Sequence, residues 1–197
     1  KGYQQVLGNA WSTGGNLNTA KVSPGKAGTQ TAALAFGAFN PTTSNTTEQY
    51  DGSSWTEVND LNTARRTLSG AGIATSALAF GGFPPHLANT ESWNGSAWYE
   101  VNDLNTAKTN GAGAGTSTSA LSFGGSISPG NTGLTESWNG AIWTEVNDLN
   151  TAREHLGGTG ANNTSALAFG GSIPPNTAAT EEWNANISVG AWVTGGN

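Results

Sequence analysis

The chain of 197 residues has no cysteine, no methionine and only two histidines, and charged residues make up just 10% of it. Without cysteine there can be no disulfide framework, zinc-thiolate site or thiol nucleophile. Seven basic residues against thirteen acidic ones give a net charge of -6, which leaves no cluster of Lys and Arg for a nucleic-acid footprint or a polybasic membrane patch. No apolar run approaches the roughly 18 residues of a spanning helix, and Lys1 to Gln5 show no signal-peptide core. Neither nucleic-acid binding nor membrane insertion is expected. With no methionine, the numbered chain is expected to be a processed or ordered portion of something longer.

Gly, Thr, Asn, Ser and Ala dominate what is present, so the surface must be largely neutral and polar. Eight Trp, six Phe and three Tyr supply apolar area to bury, which argues against disorder. These aromatics recur with a fixed period. Phe36, Phe80, Phe123 and Phe169 are spaced by 44, 43 and 46 residues, and Tyr50, Trp93, Trp138 and Trp183 by 43, 45 and 45. A third series has five members, Trp11, Trp55, Trp98, Trp143 and Trp192, with a final step of 49. A period in this range marks a repeat array or propeller before any secondary structure is assigned. The copies run approximately over 11–54, 55–97, 98–142 and 143–192 within a single domain, 1–197, and one outer strand is surplus.

Each copy reads as four strands. Asn94-Gly95, Asn139-Gly140 and Asp51-Gly52 stand between aromatic-bearing runs as hairpin turns whose two central residues tolerate positive φ. Trp55-Thr56-Glu57-Val58 alternates as a half-buried strand should. The Asn-Asp-Leu-Asn-Thr segment that follows is rich in side chains that bond their own backbone, and is expected to be a self-bonded turn. A Gly-rich run and the apolar strand Ser76 to Phe80, ending at Gly81-Gly82, complete the unit. Glycine costs about 1 kcal/mol per helical position relative to alanine, so almost no helix is expected. Four short strands cannot bury both faces alone, so the units must pack face to face. The expected fold is all-β, a small β-propeller of four or five four-stranded antiparallel blades.

The unit resembles a kelch repeat of galactose-oxidase-type propellers: a basic residue before the inner strand, an apolar strand ending in Gly-Gly, a Tyr or Trp, then Trp. Here these are Arg65, Gly81-Gly82, Trp93 and Trp98, and the first copy departs from the pattern with Gly37-Ala38. The resemblance implies a fold and leaves the role open, because such propellers include enzymes, interaction domains and structural modules. A looser similarity to Thr/Gly/Asn-rich repeat proteins of tailed phages and environmental bacteria implies a virion appendage or cell surface. The aromatic series, together with Arg65 and Glu91, are read as structural. Lys21, Arg65, Lys108 and Arg153 share one repeat position and Glu48, Glu91, Glu136 and Glu181 another, and they are expected to pair within or between blades.

An enzyme needs a singular cluster, whereas Glu57, Glu100 and Glu145, like Asp60, Asp103 and Asp148, are copied from unit to unit. His86 and His155 lie in different segments of the unit and are a thin basis for a metal site; the copper chemistry of galactose oxidase has no Tyr, Cys and His set here. No catalytic residue, metal or cofactor is assigned. Differences between the copies concentrate after the Phe strand, where Phe83, His86, Leu87, Ile127, Leu134 and Ile173 are expected to be exposed on one rim as a contact surface for glycan or protein. The expected role is a non-catalytic structural and binding propeller, extracellular or on a virion. A soluble multivalent lectin and a carbohydrate-active enzyme are the alternatives. The surplus strand has two placements: Trp192 completes the fourth blade, or Trp11 closes it circularly. Circular closure is the reading taken, and the free strand is then an assembly contact.

Overall fold

A computed structural model of the chain describes residues 11–186 and the backbone of 191–194. Among the described residues there is no helix, and none is long and apolar enough to cross a membrane. The chain forms β1 (Gly25–Thr29), β2 (Ala32–Asn40), β3 (Thr42–Tyr50) and β4 (Trp55–Val58), then β5 (Ser69–Ile73), β6 (Ser76–Phe80), β7 (Thr90–Trp93) and β8 (Trp98–Glu100). There follow β9 (Ala112–Thr116), β10 (Ser119–Phe123), a two-strand ribbon of β11 (Ser126–Ile127) and β12 (Gly130–Asn131), β13 (Thr135–Trp138) and β14 (Trp143–Val146). Last come β15 (Gly157–Asn162), β16 (Ser165–Phe169), β17 (Thr180–Asn184) and β18 (Ala191–Thr194). Apart from the ribbon they make four antiparallel sheets of four strands, each in chain order from a Gly-rich first strand to a Trp-bearing fourth.

Trp192 pairs with Trp183 in the last sheet, so the fourth copy is completed by the strand that follows it. Trp11 is fully exposed and lies outside any strand. The expected circular closure is therefore not what forms. A contiguous hairpin closes with less loop entropy than a strand recruited from the far end of the chain. The longer connection before Trp192 includes residues 187–190, which lie outside those described, as does the Trp192 side chain.

The hairpins differ in detail from the expectation. Gly95 and Gly140 take a φ of 95°, but Asn94 and Asn139 do not enter the left-handed region. Instead each Asn side chain accepts from the backbone of the residues two and three further on, Asn94 Oδ1 from Ser96 and Ala97 at 2.9 and 3.0 Å. Asp51 does the same for Ser53 and Ser54, and those backbone donors hold its carboxyl down at about 2.

Strand alternation gives each sheet two apolar faces. In the second sheet Ala77, Trp93 and Trp98 are cross-strand neighbours on the face that meets the first sheet, where they pack with Leu34 and Phe36. Leu78 and Phe80 point the other way, into a cluster with Trp138 and Trp143 of the third sheet. Leu121 and Phe123 repeat this against Ala166 and Trp183 of the fourth. Phe36 meets Trp98 edge-on with centroids 4.9 Å apart, and Phe80 meets Trp143 at 5.0 Å, geometry worth about 0.5–1.5 kcal/mol beyond area burial. The first strands β1, β5, β9 and β15 lie side by side in that order, and no comparable packing joins β15 to β1. Their glycines permit this approach: a Cβ at Gly113 would lie 2.5 Å from the Gly70 carbonyl oxygen and 2.7 Å from the Phe80 ring. Residues of all four strands line an open pocket of about 440 Å3, together with Ala33, Leu34, Ala35 and Trp55 of the first sheet.

Candidate functional site

Two kinds of polar cluster occur, one replicated and one singular. The replicated one centres on a buried glutamate in the third strand of each sheet. Glu91 Oε2 accepts from the Asn62 backbone N–H at 2.7 Å and the Asn62 amide at 2.9 Å, and Oε1 accepts from Thr63 N–H at 3.3 Å. Arg65 Nη2 completes the set at 3.1 Å, with neither side chain exposed. Glu48 takes the same bonds from Asn18 and Thr19, with Lys21 at 3.5 Å. Glu181 takes them from Asn150, with Arg153 at 2.5 Å. The replicated charges thus pair, and they do so between a sheet and the linker that precedes it.

The third copy departs from this pattern. Glu136 accepts from Asn105 and Thr106, but Lys108 gives its ammonium to the carbonyls of Leu134 at 2.9 Å and Ser122 at 3.2 Å. Burial lowers the Lys108 amine to about 8, with Glu136, Asp148 and Glu145 pulling it back up. Burial likewise pushes the Arg65 guanidinium down from its ordinary value against the pull of Glu91. Glu100 stands directly opposite Glu91 across β7 and β8, and its carboxyl is raised by burial and then by that neighbouring charge.

The linker is not the self-bonded turn that its composition suggests. Asp60 Oδ1 accepts from Thr47 N–H, thirteen residues back, and Asn59 reaches the Ser96 carbonyl. Asp103 and Asp148 repeat the first bond on Thr90 and Thr135. The neighbouring strand offers these side chains better-placed donors than their own backbone does. Among the described residues no group of three or more His, Asp and Glu is placed to hold a metal.

The singular cluster lies where the residue after each basic position bridges to the chain three residues beyond each Phe of the second strand: Val22 to Phe39, Arg66 to Phe83, Thr109 to Ser126 and Glu154 to Ser172. The next residues, Ser23, Thr67, Asn110 and His155, all take φ between 53° and 56°. They are linked backbone to backbone, Thr67 N–H to Ser23, Asn110 to Thr67 and His155 to Asn110. Here the copies differ in chemistry while sharing a backbone. Arg66 is clamped between aromatic faces, 4.8 Å from the Phe39 centroid and 5.3 Å from that of Phe83. Phe83 in turn meets His86 edge-on at 5.9 Å. Arg66, Phe83 and His86, with Asn110, Ser126 and His155, line a groove of about 340 Å3.

Of the rim residues read from the sequence, Phe83 and His86 line this groove. All six are half-buried, not exposed, because the loops fold back onto the linkers. Leu87 exchanges backbone bonds with Gly82 and Lys108. The Leu134 carbonyl receives Gly124 N–H as well as Lys108. Ile127 lies in the β11–β12 ribbon, and Ile173 follows the Ser172 bridge. His86 and His155, distant in sequence, come to the same groove. Arg66, Phe39 and Asn110 were missed; a comparison of the residues that follow the basic positions, Val, Arg, Thr and Glu, would have found Arg66. The nearest carboxylate to His155 is Glu154 at 3.8 Å, beyond hydrogen-bond reach, and no hydroxyl among the described residues bonds either imidazole.

No family model matches this chain, and no curated protein is significantly similar to it.

Two predictions concern the replicated cluster. Arg65→Met and Glu91→Gln each strand a buried charge or donor, so each should cost about 3–5 kcal/mol in urea unfolding, and the double variant should show a coupling above roughly 1 kcal/mol. For Lys108 the folded pKa of about 8 lies below the unfolded 10.5. The unfolded chain then binds more protons between those values, and stability rises with pH across that window. Relative to Lys108→Arg, which does not titrate there, the wild type should gain on the order of 3 kcal/mol in unfolding free energy from pH 7.5 to 10.5.

Proposed function

We propose that the four sheets are successive blades of a kelch-like β-propeller, arranged about the axis that β1, β5, β9 and β15 line. The chain serves as a non-catalytic binding module of a virion appendage or cell surface, and the groove around Arg66 takes carbohydrate. The observation that carries this reading is Arg66 itself. Its plane is fixed by Phe39 and Phe83, and no carboxylate lies within ion-pair distance of it among the described residues. A preorganised guanidinium fork matches a carboxylate in two parallel hydrogen bonds. Around it the His155 imidazole, the second N–H of the Asn110 amide, whose first goes to Glu154 Oε2 at 3.0 Å, and the lone pairs of the Ser126 hydroxyl, which donates to the Gly130 carbonyl, suit the hydroxyls of a sugar. An acidic glycan fits this set.

A neutral exterior rich in Thr and Asn supports an exposed setting. The difference between Val22, Arg66, Thr109 and Glu154 favours one site per chain over the near-equivalent sites in every blade that a multivalent lectin of repeats would carry. The buried replicated carboxylates Glu48, Glu91, Glu136 and Glu181 are occupied by linker donors, which favours binding over turnover.

Glycan-array binding by wild type and Arg66→Ala, run beside a hydrolysis assay, tests the reading. Wild type should retain carboxylate-bearing glycans without cleaving them, and Arg66→Ala should lose about tenfold or more in affinity, the weight of a charge-assisted bidentate contact. Its unfolding midpoint should hold. Equal binding by the two proteins, capture of neutral glycans only, binding of a protein in place of glycan, or turnover would contradict it.

A further inference from the structure

The contact that joins one sheet to the next has three parts. A Phe of the second strand lies against a glycine of the next sheet's first strand: a Cβ would come within 2.7 Å of the Phe36 ring at Gly70, 2.7 Å of Phe80 at Gly113 and 2.6 Å of Phe123 at Gly158. A Trp of the next sheet's fourth strand packs on that Phe, as Trp98 and Trp143 do. The indole N–H of that Trp reaches back to a buried threonine, Trp98 to Thr47 at 3.0 Å and Trp143 to Thr90 at 3.1 Å.

The fourth sheet carries the same donor half, and among the described residues no receiver packs on it. Phe169 is 43% exposed where Phe36, Phe80 and Phe123 are at most 1% exposed. Leu167 and Thr180 are half-buried where their counterparts Leu34, Leu78, Leu121, Thr47 and Thr90 are buried. The first sheet carries an incomplete receiving half, with Ala33, Tyr50 and Trp55 half-buried.

One residue keeps these two halves apart. The strand registers place Lys26 opposite Ala35, as Gly70 lies opposite Ala79, Gly113 opposite Ser122 and Gly158 opposite Ala168. Lys26 therefore stands where each later sheet has the glycine that admits a Phe ring. Since a Cβ alone overlaps that ring, the lysine side chain fills the space Phe169 would need. The first sheet, whether of the same molecule or of a second copy, does not receive it.

We infer that the Phe169 face of the fourth sheet docks a further four-stranded sheet of the same repeat type, supplied from beyond these four. That partner has glycine opposite Phe169, a linker leucine like Leu61, Leu104 and Leu149 beside it, and a fourth-strand Trp whose indole donates to Thr180. The inference rests on the three intersheet contacts and is independent of what the groove binds.

The test extends the full chain after Asn197 with a second copy of residues 104–146, which carries the receiving glycine and tryptophan. A control extension has lysine at the copied Gly113 position. Phe169→Ala is introduced into the unextended chain and both extensions. It should lower the folding equilibrium constant by less than roughly tenfold in the unextended chain and the lysine control, and by roughly a hundredfold or more in the glycine extension, as for a buried Phe. Equal effects in the two extensions would overturn the inference. So would a stable dimer of the unextended chain that Phe169→Ala dissociates.

Discussion

Each sheet is tied to the chain that enters it through one buried carboxylate. A glutamate in the third strand receives an amide, two backbone N–H groups (one in the fourth sheet) and, in three of the four copies, a cation, all from one short linker. A lone carboxylate in that setting would be strongly destabilising, and the linker supplies the donors that offset its desolvation. Fixing the linker has two further effects. It sets Leu61, Leu104 and Leu149 between successive sheets, where they are 1%, 4% and 5% exposed. It also brings Asp60, Asp103 and Asp148 onto the third strand of the preceding sheet, through Thr47, Thr90 and Thr135. One charged group thus sets the spacing of neighbouring sheets, and the apolar contacts follow from it.

The intersheet packing explains the composition. A Phe ring inserted against a first strand requires glycine there, and strands that approach one another beside a common pocket require it again. Gly70, Gly113 and Gly158 therefore meet a packing requirement, whereas Gly72 and Gly115 in the same strands take φ of 107° and 103°, and Gly81, also at positive φ, would put a Cβ 2.6 Å from the Lys108 carbonyl oxygen. Lys26 stands in the first sheet where the later sheets have that glycine, and among the described residues Phe169 of the fourth sheet stays exposed.

The period of the aromatics carried most of the fold into view. Spacing of Phe36, Phe80, Phe123 and Phe169 located the second strands, and the Asn-Gly pairs located the last hairpin of two of the sheets. What the sequence concealed depends on partners far along the chain. Asp60 and Asn62 have the composition of a turn, yet they bond Thr47 and Glu91, and no local rule distinguishes the two uses. Trp11 and Trp192 carry nearly the same surrounding sequence, and only hairpin pairing decides between them. In the groove, Phe83 and His86 were legible as loop residues that differ between copies. Arg66 was hidden because it sits beside the replicated Arg65 and looked like part of the repeat.

Amide hydrogen exchange of the linkers tests the central role of the buried carboxylate most directly. Asn62, Thr63, Asn105 and Thr106 lie outside any strand, and the Asn62 and Asn105 residues are exposed, so without the glutamates their N–H groups would exchange in the manner of surface loops. If Glu91 and Glu136 hold them, they should exchange only with the opening that releases the strand amides of Leu78 and Leu121. Exchange of those four linker amides at loop rates, while the strands stay protected, would contradict the account.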